Sequence, residues 1–134
     1  MYKIQDVMTE EVVTIGPDAT IDQAISLLLN NEVSGLPVVD EQQVLLGVIT
    51  EIDIIDLVYK GDLEDSVVGD HMTRTVSYLA PDASLDDAAN IFCNNSIRRI
   101  PVVRDDRLVG VISRHDLIGF VHDVRKQNLA AAGA

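Results

Sequence analysis

The chain has 134 residues, 47% of them hydrophobic and 4% aromatic, so it is long enough for one compact unit, or for two very small units that share an aliphatic core. Its formal net charge of −12 excludes the basic surface that nucleic-acid binding requires. Because the sequence has one cysteine, a polar N-terminus without a signal-peptide core and no apolar run of about 18 residues, we expect a cytoplasmic protein with no disulfide and no membrane segment.

The sequence contains an internal repeat. Short motifs of the first half recur in the second half at an offset of 64 residues, and the last of them recurs at an offset of 63. A repeat of this kind indicates two copies of one supersecondary unit. The matching segments are Met8-Thr9 with Met72-Thr73, Pro17-Asp18-Ala19 with Pro81-Asp82-Ala83, Pro37-Val38-Val39 with Pro101-Val102-Val103, and Gly47-Val48-Ile49 with Gly110-Val111-Ile112.

The first copy is predicted to contain a strand, a helix, two strands and a second helix. The first helix begins after Thr20, whose capping-box partner is Gln23, and its apolar residues recur at helical spacing. The second helix begins near Ile52 and ends at Gly61. The predicted strands are Val12–Ile15, Leu36–Val39 and Val44–Ile49, the last of which is nearly all apolar and is expected to be buried on both faces.

The second copy follows the same order. Ser84 is predicted to cap its first helix, and Cys93 lies on the apolar stripe of that helix, so we expect this cysteine to be buried. Residues 60–70 are expected to form a linker. The remaining predicted elements are the strands Val76–Leu79, Ile100–Val103 and Leu108–Ile112 and the helix Leu117–Val124.

These elements predict the α/β class. One copy is too small to bury both of its helix stripes, so we expect two pseudo-symmetric strand-helix-strand-strand-helix repeats that pack through their sheets and leave a groove between them. The first repeat is placed at residues 1–62, the second at 63–125, and residues 126–134 form a tail that extends the last helix or is disordered. Gly47 and Gly110, single glycines within strands, are predicted to be positions of close backbone approach.

Two strand-to-helix corners carry the candidate site. Each places a hydroxyl and, three residues later, a carboxylate at a helix N-terminus: Thr50 with Asp53, and Ser113 with Asp116. Free N–H groups and the helix dipole favour a phosphate there, whereas a carboxylate one turn further suits the two hydroxyls of a ribose. Phosphate beside ribose indicates a nucleotide. The alternative is that these side chains are only helix caps and first-turn acids.

Together, the repeated motifs resemble the cystathionine-β-synthase (CBS) domain family, over about residues 4–124. The resemblance is carried by Met-Thr, Pro-Asp-Ala-[Thr/Ser], Pro-Val-Val and Gly-Val-Ile-[Thr/Ser]-x-x-Asp, each of which occurs twice. It implies a stand-alone CBS pair, which is a regulatory module that binds an adenosyl ligand (AMP, ADP, ATP or S-adenosylmethionine) between its repeats and forms a homodimer.

The resemblance also implies two unequal clefts. Residues 1–64 have a net charge of −11 and residues 65–134 have a net charge of −1, so phosphate is expected on the side of the second copy. The positions equivalent to Arg98 and Arg99 are Ser34 and Gly35, which carry no charge. The main cleft is assigned Val33, Ser34, Arg98, Arg99, Val111, Ser113, His115 and Asp116, and the weaker cleft Thr50, Asp53 and Ile97 together with Arg98.

The resemblance therefore implies an adenine-nucleotide sensor that acts on a partner protein. Two alternatives stay open: a structural dimerisation module with vestigial clefts, and a sensor of S-adenosylmethionine. No nucleophile–base pair, carboxylate pair or metal-ligand cluster is apparent, so we expect neither an enzyme nor a metal site. For Arg99 the alternative to a phosphate contact is a surface ion pair, and Arg114 is a second basic residue that is either a ligand contact or a solvated helix residue.

Overall fold

The computed structural model describes residues 2–61 and 63–133 and confirms the predicted mixed α/β fold of two repeats. A short 3₁₀ turn at Ile4–Asp6 precedes the first repeat. The helices are α1 (Ile21–Asn30), α2 (Glu51–Lys60), α3 (Val68–His71), α4 (Leu85–Asn94) and α5 (Arg114–Gly133), and the strands are β1 (Gly35–Val39), β2 (Leu45–Thr50), β3 (Arg99–Arg104) and β4 (Arg107–Ser113).

The strands form two antiparallel hairpins, β1 with β2 and β3 with β4. The registers are equivalent, because Gly35 lies opposite Thr50 in the first hairpin and Arg99 lies opposite Ser113 in the second. The turns of the two hairpins are joined, since the N–H of Leu45 donates to the carbonyl oxygen of Asp106 at 3.1 Å. Each hairpin leads directly into a helix, since β2 is followed at once by α2 and β4 by α5.

The prediction of strands at Val12–Ile15 and Val76–Leu79 is wrong, because neither segment forms a regular strand. Each contributes one parallel bridge, Ile15 with Val38 and Leu79 with Val102. Pro17 and Pro81 follow closely in the two repeats, and a residue without an N–H cannot continue a ladder of hydrogen bonds. Val12–Ile15 and Val76–Leu79 therefore each pair with the hairpin of their own repeat at one residue only.

The helix boundaries follow the predicted caps. The N–H of Gln23 donates to the hydroxyl oxygen of Thr20 at 3.1 Å, and the N–H of Thr20 donates to Oε1 of Gln23 at 2.9 Å, which confirms the capping box. Helix α2 ends at Gly61, whose φ of 77° is left-handed. Helix α5 has no such stop and continues to Gly133, well beyond the predicted end at Val124.

The segment that precedes each repeat packs against the other repeat. We call these two segments, residues 4–9 and 68–73, the exchanged segments. Ile4 is fully buried in the core of the second repeat, where its N–H donates to the carbonyl oxygen of Ala83 at 2.9 Å. In return, α3 packs into the core of the first repeat, and the N–H of Val68 donates to the carbonyl oxygen of Ala19 at 2.9 Å. The expected linker therefore contains a helix that belongs to a core, and neither repeat completes its core alone.

The predicted close approaches at Gly47 and Gly110 are confirmed. A β-carbon at Gly47 would lie 2.5 Å from the carbonyl oxygen of Thr73, and one at Gly110 would lie 2.7 Å from Sδ of Met8. Both glycines are buried. The segments that the repeats exchange can pair with β2 and β4 only because these two positions lack a side chain.

Two burial expectations are wrong. Cys93 is exposed, as is the equivalent Leu29 at 72% exposure, because both lie at the solvent edge of the helix stripe rather than at its centre. Strand β2 is not buried on both faces, since Gly47 and Ile49 are buried while the residues between and beside them are half-buried. None of the helices in the described ranges is long and apolar enough to cross a membrane.

We predict that Gly47→Ala lowers the free energy of unfolding by about 2 kcal/mol, since the added methyl group must displace the backbone of Thr73. Urea unfolding followed by circular dichroism measures this loss. Gly119→Ala is the matched control, because this helical glycine has no atom within 4 Å of the new methyl group and should raise the stability by up to about 1 kcal/mol. Equal stability of Gly47→Ala and the wild type would contradict the close approach.

Candidate functional site

The two strand-to-helix corners form the same reciprocal cap. At the start of α5, the N–H of Asp116 donates to Oγ of Ser113 at 2.9 Å, and the N–H of Ser113 donates to Oδ2 of Asp116 at 3.0 Å. At the start of α2, the N–H of Asp53 donates to Oγ1 of Thr50 at 3.3 Å, and the N–H of Thr50 donates to Oδ2 of Asp53 at 2.9 Å. The four side chains are therefore helix caps, whatever else they bind.

The hydroxyl protons of the two corners are used differently. The hydroxyl of Thr50 also donates to Oδ2 of Asp53, at 3.0 Å. In the part of the chain that the structure describes, the hydroxyl of Ser113 accepts from Asp116 but donates to no protein group. Ser113 consequently keeps a proton that it can offer to a ligand, whereas that of Thr50 is already engaged.

Thr9 and Thr73 complete the corners, and the sequence-based assignment of the site missed both. Oγ1 of Thr9 lies 3.4 and 3.3 Å from Oδ1 and Oδ2 of Asp116, and Oγ1 of Thr73 lies 3.1 and 3.3 Å from Oδ1 and Oδ2 of Asp53. The signal was the Met-Thr motif, which recurs at an offset of 64. Because these threonines come with the exchanged segments, both corners lie where the two repeats meet.

In the two hairpins, basic residues lie beside one corner only, while Arg74, next to Thr73 of the first corner, donates to the carbonyl oxygen of Gly69 at 3.2 Å. Arg99 is opposite Ser113 in the β3–β4 register, and the carbonyl oxygen of Arg98 accepts from the N–H of Arg114 at 3.1 Å. Both side chains are exposed. In the first repeat Gly35 lies opposite Thr50, and the carbonyl oxygen of Ser34 accepts from Glu51. The backbone geometry is the same at the two corners, but the charge is not.

The arginines of this corner are not engaged by acids. Within residues 2–61 and 63–133, an ion pair joins Lys60 to Asp56 at 2.9 Å, and no ion pair or side-chain hydrogen bond involves Arg98 or Arg99. The surface ion pair considered for Arg99 is therefore not formed. Arg99, opposite Ser113, and its neighbour Arg98 therefore keep positive charges that a ligand can use.

The structure places each of the other predicted site residues within its own repeat. Val111 is buried and pairs with Thr9, and His115 is exposed in the first turn of α5. Val33 packs against the first core, and Ile97 is 36% exposed in the equivalent loop before β3. The described hydrogen bonds tie Ser34 to its own repeat, and none joins it to the Ser113 corner.

A separate concavity lies away from the two corners. A groove of about 590 Å³ runs beside the start of α1, and it is lined by Asp22 and by uncharged residues including Thr14 and Gln23. A groove with no basic residue is a poor site for an anion. Among the described residues, no group of three or more His, Cys, Asp or Glu side chains is placed to hold a metal ion.

The fold and the site define a tandem-repeat module. It consists of two α/β repeats that share the exchanged segments and carry matching hydroxyl–carboxylate corners. The CBS domain model matches residues 4–60 and 68–123, so the chain belongs to the CBS domain family.

Relatives and solved structures agree with this assignment. The chain is 37% identical over 115 residues to the uncharacterized protein MJ1225 of Methanocaldococcus jannaschii, covering 86% of this chain but 41% of that protein. It is 36% identical to the CBS domain-containing protein YhcV of Bacillus subtilis, covering 87% of this chain and 84% of YhcV. It therefore spans less than half of one of these relatives and most of the other.

Complexes with adenosyl compounds are among the similar structures. The structure of CBSX2, a CBS-pair protein of Arabidopsis thaliana, in complex with AMP matches with a TM-score of 0.85 at 29% identity, covering 93% of this chain and 99% of the other. The CBS domain pair of MJ0100 in complex with 5′-methylthioadenosine and S-adenosyl-L-methionine matches with a TM-score of 0.79 at 26% identity, covering 92% and 98%.

We predict that Thr50→Ala and Ser113→Ala each lower the free energy of unfolding by about 1 kcal/mol, because each removes the oxygen that caps a helix. Thermal or urea unfolding measures the loss without any ligand. Ser77→Ala is a control, since this exposed serine has no side-chain hydrogen bond in the described part of the chain. If either cap variant is as stable as Ser77→Ala, the corresponding cap contributes nothing to the fold.

Proposed function

We propose that this chain is a regulatory module that binds an adenine nucleotide (AMP, ADP or ATP) and conveys its level to a partner protein. The observation that carries the proposal is the pairing of Arg99 with Ser113 beside Asp116, which brings basic side chains to one hydroxyl–carboxylate corner. The hairpin position opposite the hydroxyl of the other corner carries no charge, since Gly35 lies opposite Thr50.

The contacts of the main cleft suit phosphate and ribose separately. The free hydroxyl proton of Ser113, the exposed guanidinium of Arg99 and the N-terminus of α5 favour phosphate oxygens. Asp116 keeps acceptor capacity, since Oδ1 has one long contact, the shared hydroxyl of Thr9 at 3.4 Å. This carboxylate can therefore accept from ribose hydroxyls while it still caps the helix.

The base and the remaining contacts come from both repeats. We assign Val33 and Ser34 of the first repeat to the adenine, with Val111 as an apolar wall and Arg98 and His115 near the phosphate. In the weaker cleft, Thr50, Asp53 and Ile97 offer a ribose site with no charge opposite Thr50. We therefore expect the second cleft to be empty at moderate concentration or to prefer adenosine.

The similar structures support an adenosyl ligand and leave its identity to experiment. AMP is present in the CBSX2 complex, and 5′-methylthioadenosine and S-adenosyl-L-methionine are present in the MJ0100 complex. The second finding favours one alternative, a sensor of S-adenosylmethionine. The sulfonium cation of S-adenosylmethionine is repelled by Arg99 opposite Ser113, so we place this alternative at the first corner, where Gly35 occupies the equivalent position.

We predict that AMP at 100 times its dissociation constant stabilises the protein by about 2.7 kcal/mol. For a domain of this size the thermal midpoint should rise by roughly 10 °C. Differential scanning fluorimetry with AMP, ATP and S-adenosylmethionine compares the candidate ligands. A shift with S-adenosylmethionine alone favours the alternative sensor, and no shift with any of the three leaves only a structural module.

Two aspartate variants separate the clefts. Asp116→Ala should remove most of the AMP-induced shift, whereas Asp53→Ala should keep it. Both variants lose a helix-capping carboxylate, so each is compared with its own ligand-free midpoint. If Asp53→Ala loses the shift and Asp116→Ala keeps it, the assignment of the main cleft is reversed.

We also propose that the module is a homodimer formed through α2 and α5. Ile52, Ile55 and Tyr59 recur at helical spacing on α2 and are 72%, 61% and 90% exposed. On α5, Ile118 and Val121, the equivalents of Ile55 and Val58, are 69% and 49% exposed. A second copy suits these faces because α2 has a net charge of −2 whereas α5 has a net charge of +1, so that α2 of one copy complements α5 of the other.

We predict that the double variant Ile55→Asp with Ile118→Asp is monomeric, because it places charges in the apolar faces that the dimer would bury. Size-exclusion chromatography with light scattering measures the mass. Leu29→Asp is the matched control, since Leu29 is 72% exposed but lies on α1. A monomeric wild type, or a dimer that survives the double variant, would contradict this surface.

A further inference from the structure

Arg114, the first residue of α5, holds the loop between α4 and β3. Its Nε donates to the carbonyl oxygen of Ile97 at 2.9 Å, and its Nη2 donates to the carbonyl oxygen of Asn95 at 3.2 Å. Its backbone N–H donates to the carbonyl oxygen of Arg98 at 3.1 Å. One residue therefore contacts three carbonyl groups of the loop that leads into Arg98 and Arg99.

The equivalent loop of the first repeat is closed by its own backbone. The N–H groups of Asn31 and Val33 donate to the carbonyl oxygens of Leu27 and Leu28, each at 3.1 Å. Glu32 has a positive φ of 52°, which turns the chain back onto the end of α1. This loop needs no side chain from α2 to hold its shape.

The loop of the second repeat lacks these bonds. Asn95 is extended, with φ of −140° and ψ of 157°, and within the described chain no backbone N–H of residues 95–98 returns to α4. All residues from Cys93 to Arg99 are exposed. The side-chain amide of Asn95 donates to the carbonyl oxygen of Ile91 in α4 at 3.0 Å, and the guanidinium of Arg114 supplies the hydrogen bonds to the loop carbonyl groups of Asn95 and Ile97.

We propose that Arg114 is a positioning residue, which holds the loop so that Arg98 and Arg99 stand ready for the phosphate. The proposal rests on the proposed function, because it assumes that these arginines bind phosphate. A guanidinium fits the role since its planar fork can donate to two carbonyl oxygens at once, which an ammonium group cannot do in the same way. The equivalent residue of the first repeat is Glu51, so the clamp belongs to one cleft only.

The experiment measures AMP and adenosine binding by calorimetry for the wild type, Arg114→Gln and the control Glu51→Gln. Because this loop contributes only phosphate contacts to the main cleft, Arg114→Gln should weaken AMP at that cleft about tenfold and change adenosine there by less than about twofold. Glu51→Gln should change neither. An equal loss for both ligands in Arg114→Gln would overturn the positioning role, since a general loss of structure acts on the whole cleft.

Arg114→Lys distinguishes positioning from direct attraction. Lysine keeps the positive charge but not the fork, so this variant should lose AMP affinity as Arg114→Gln does. In an Arg99→Gln background, Arg114→Gln should cause little further loss, because the two residues act on the same contact. An Arg114→Lys variant with wild-type AMP affinity would overturn the proposal, since charge alone would then account for the effect.

A ligand-free measurement separates this proposal from the proposed function. Amide hydrogen exchange at residues 95–99 should become faster in Arg114→Gln, whereas exchange at residues 31–35 should not change in Glu51→Gln. Unchanged exchange at residues 95–99 would overturn the clamp even if AMP binds. If the wild type binds neither AMP nor adenosine while the exchange result holds, the proposed function has failed and the role of Arg114 in phosphate binding fails with it.

Discussion

The fold depends on two short segments that cross between the repeats. Thr9 pairs with Val111 and Thr73 pairs with Val48, in each case through two backbone hydrogen bonds of 2.8 and 2.9 Å. This pairing brings the two segments so close to β2 and β4 that no β-carbon fits at Gly47 or Gly110. The same segments fill the cores, because the residues beside them complete the apolar cluster of the other repeat. The two repeats therefore fold as one unit, and the corners that carry the candidate site exist only in that unit.

Much of the architecture could be predicted from the sequence, because caps and apolar periodicity are local signals. The capping box at Thr20 and the strand-to-helix corners at Thr50 and Ser113 lie where those signals placed them. The exchange of segments could not be predicted in this way. Two motifs at an offset of 64 have the same local sequence whether each packs on its own repeat or on the other, and only long-range packing separates the two arrangements.

The candidate site was predictable in its charges and not in its hydrogen bonds. Arg98 and Arg99 have no basic equivalents in the first repeat, and this difference is visible in the sequence. The different use of the hydroxyl protons of Thr50 and Ser113 depends on side-chain rotamers, which no spacing encodes. The exposure of Cys93 could not be predicted either. This cysteine lies at the edge of the apolar face of its helix, and the burial of such a residue depends on what packs beside it.

In the function we propose, the exchanged segments also explain how a small ligand acts on the whole module. The hydroxyl of Thr9 lies within 3.4 Å of both oxygens of Asp116, so ribose hydroxyls that donate to this carboxylate compete with Thr9 for the same lone pairs. Thr9 is also held to Val111 by the backbone bonds that join the repeats. A ligand that changes the contact between Thr9 and Asp116 therefore has different affinities for different packings of the repeats, which is the condition for shifting a conformational equilibrium. By linkage, a partner protein that prefers one packing must change the affinity for the nucleotide by the same factor.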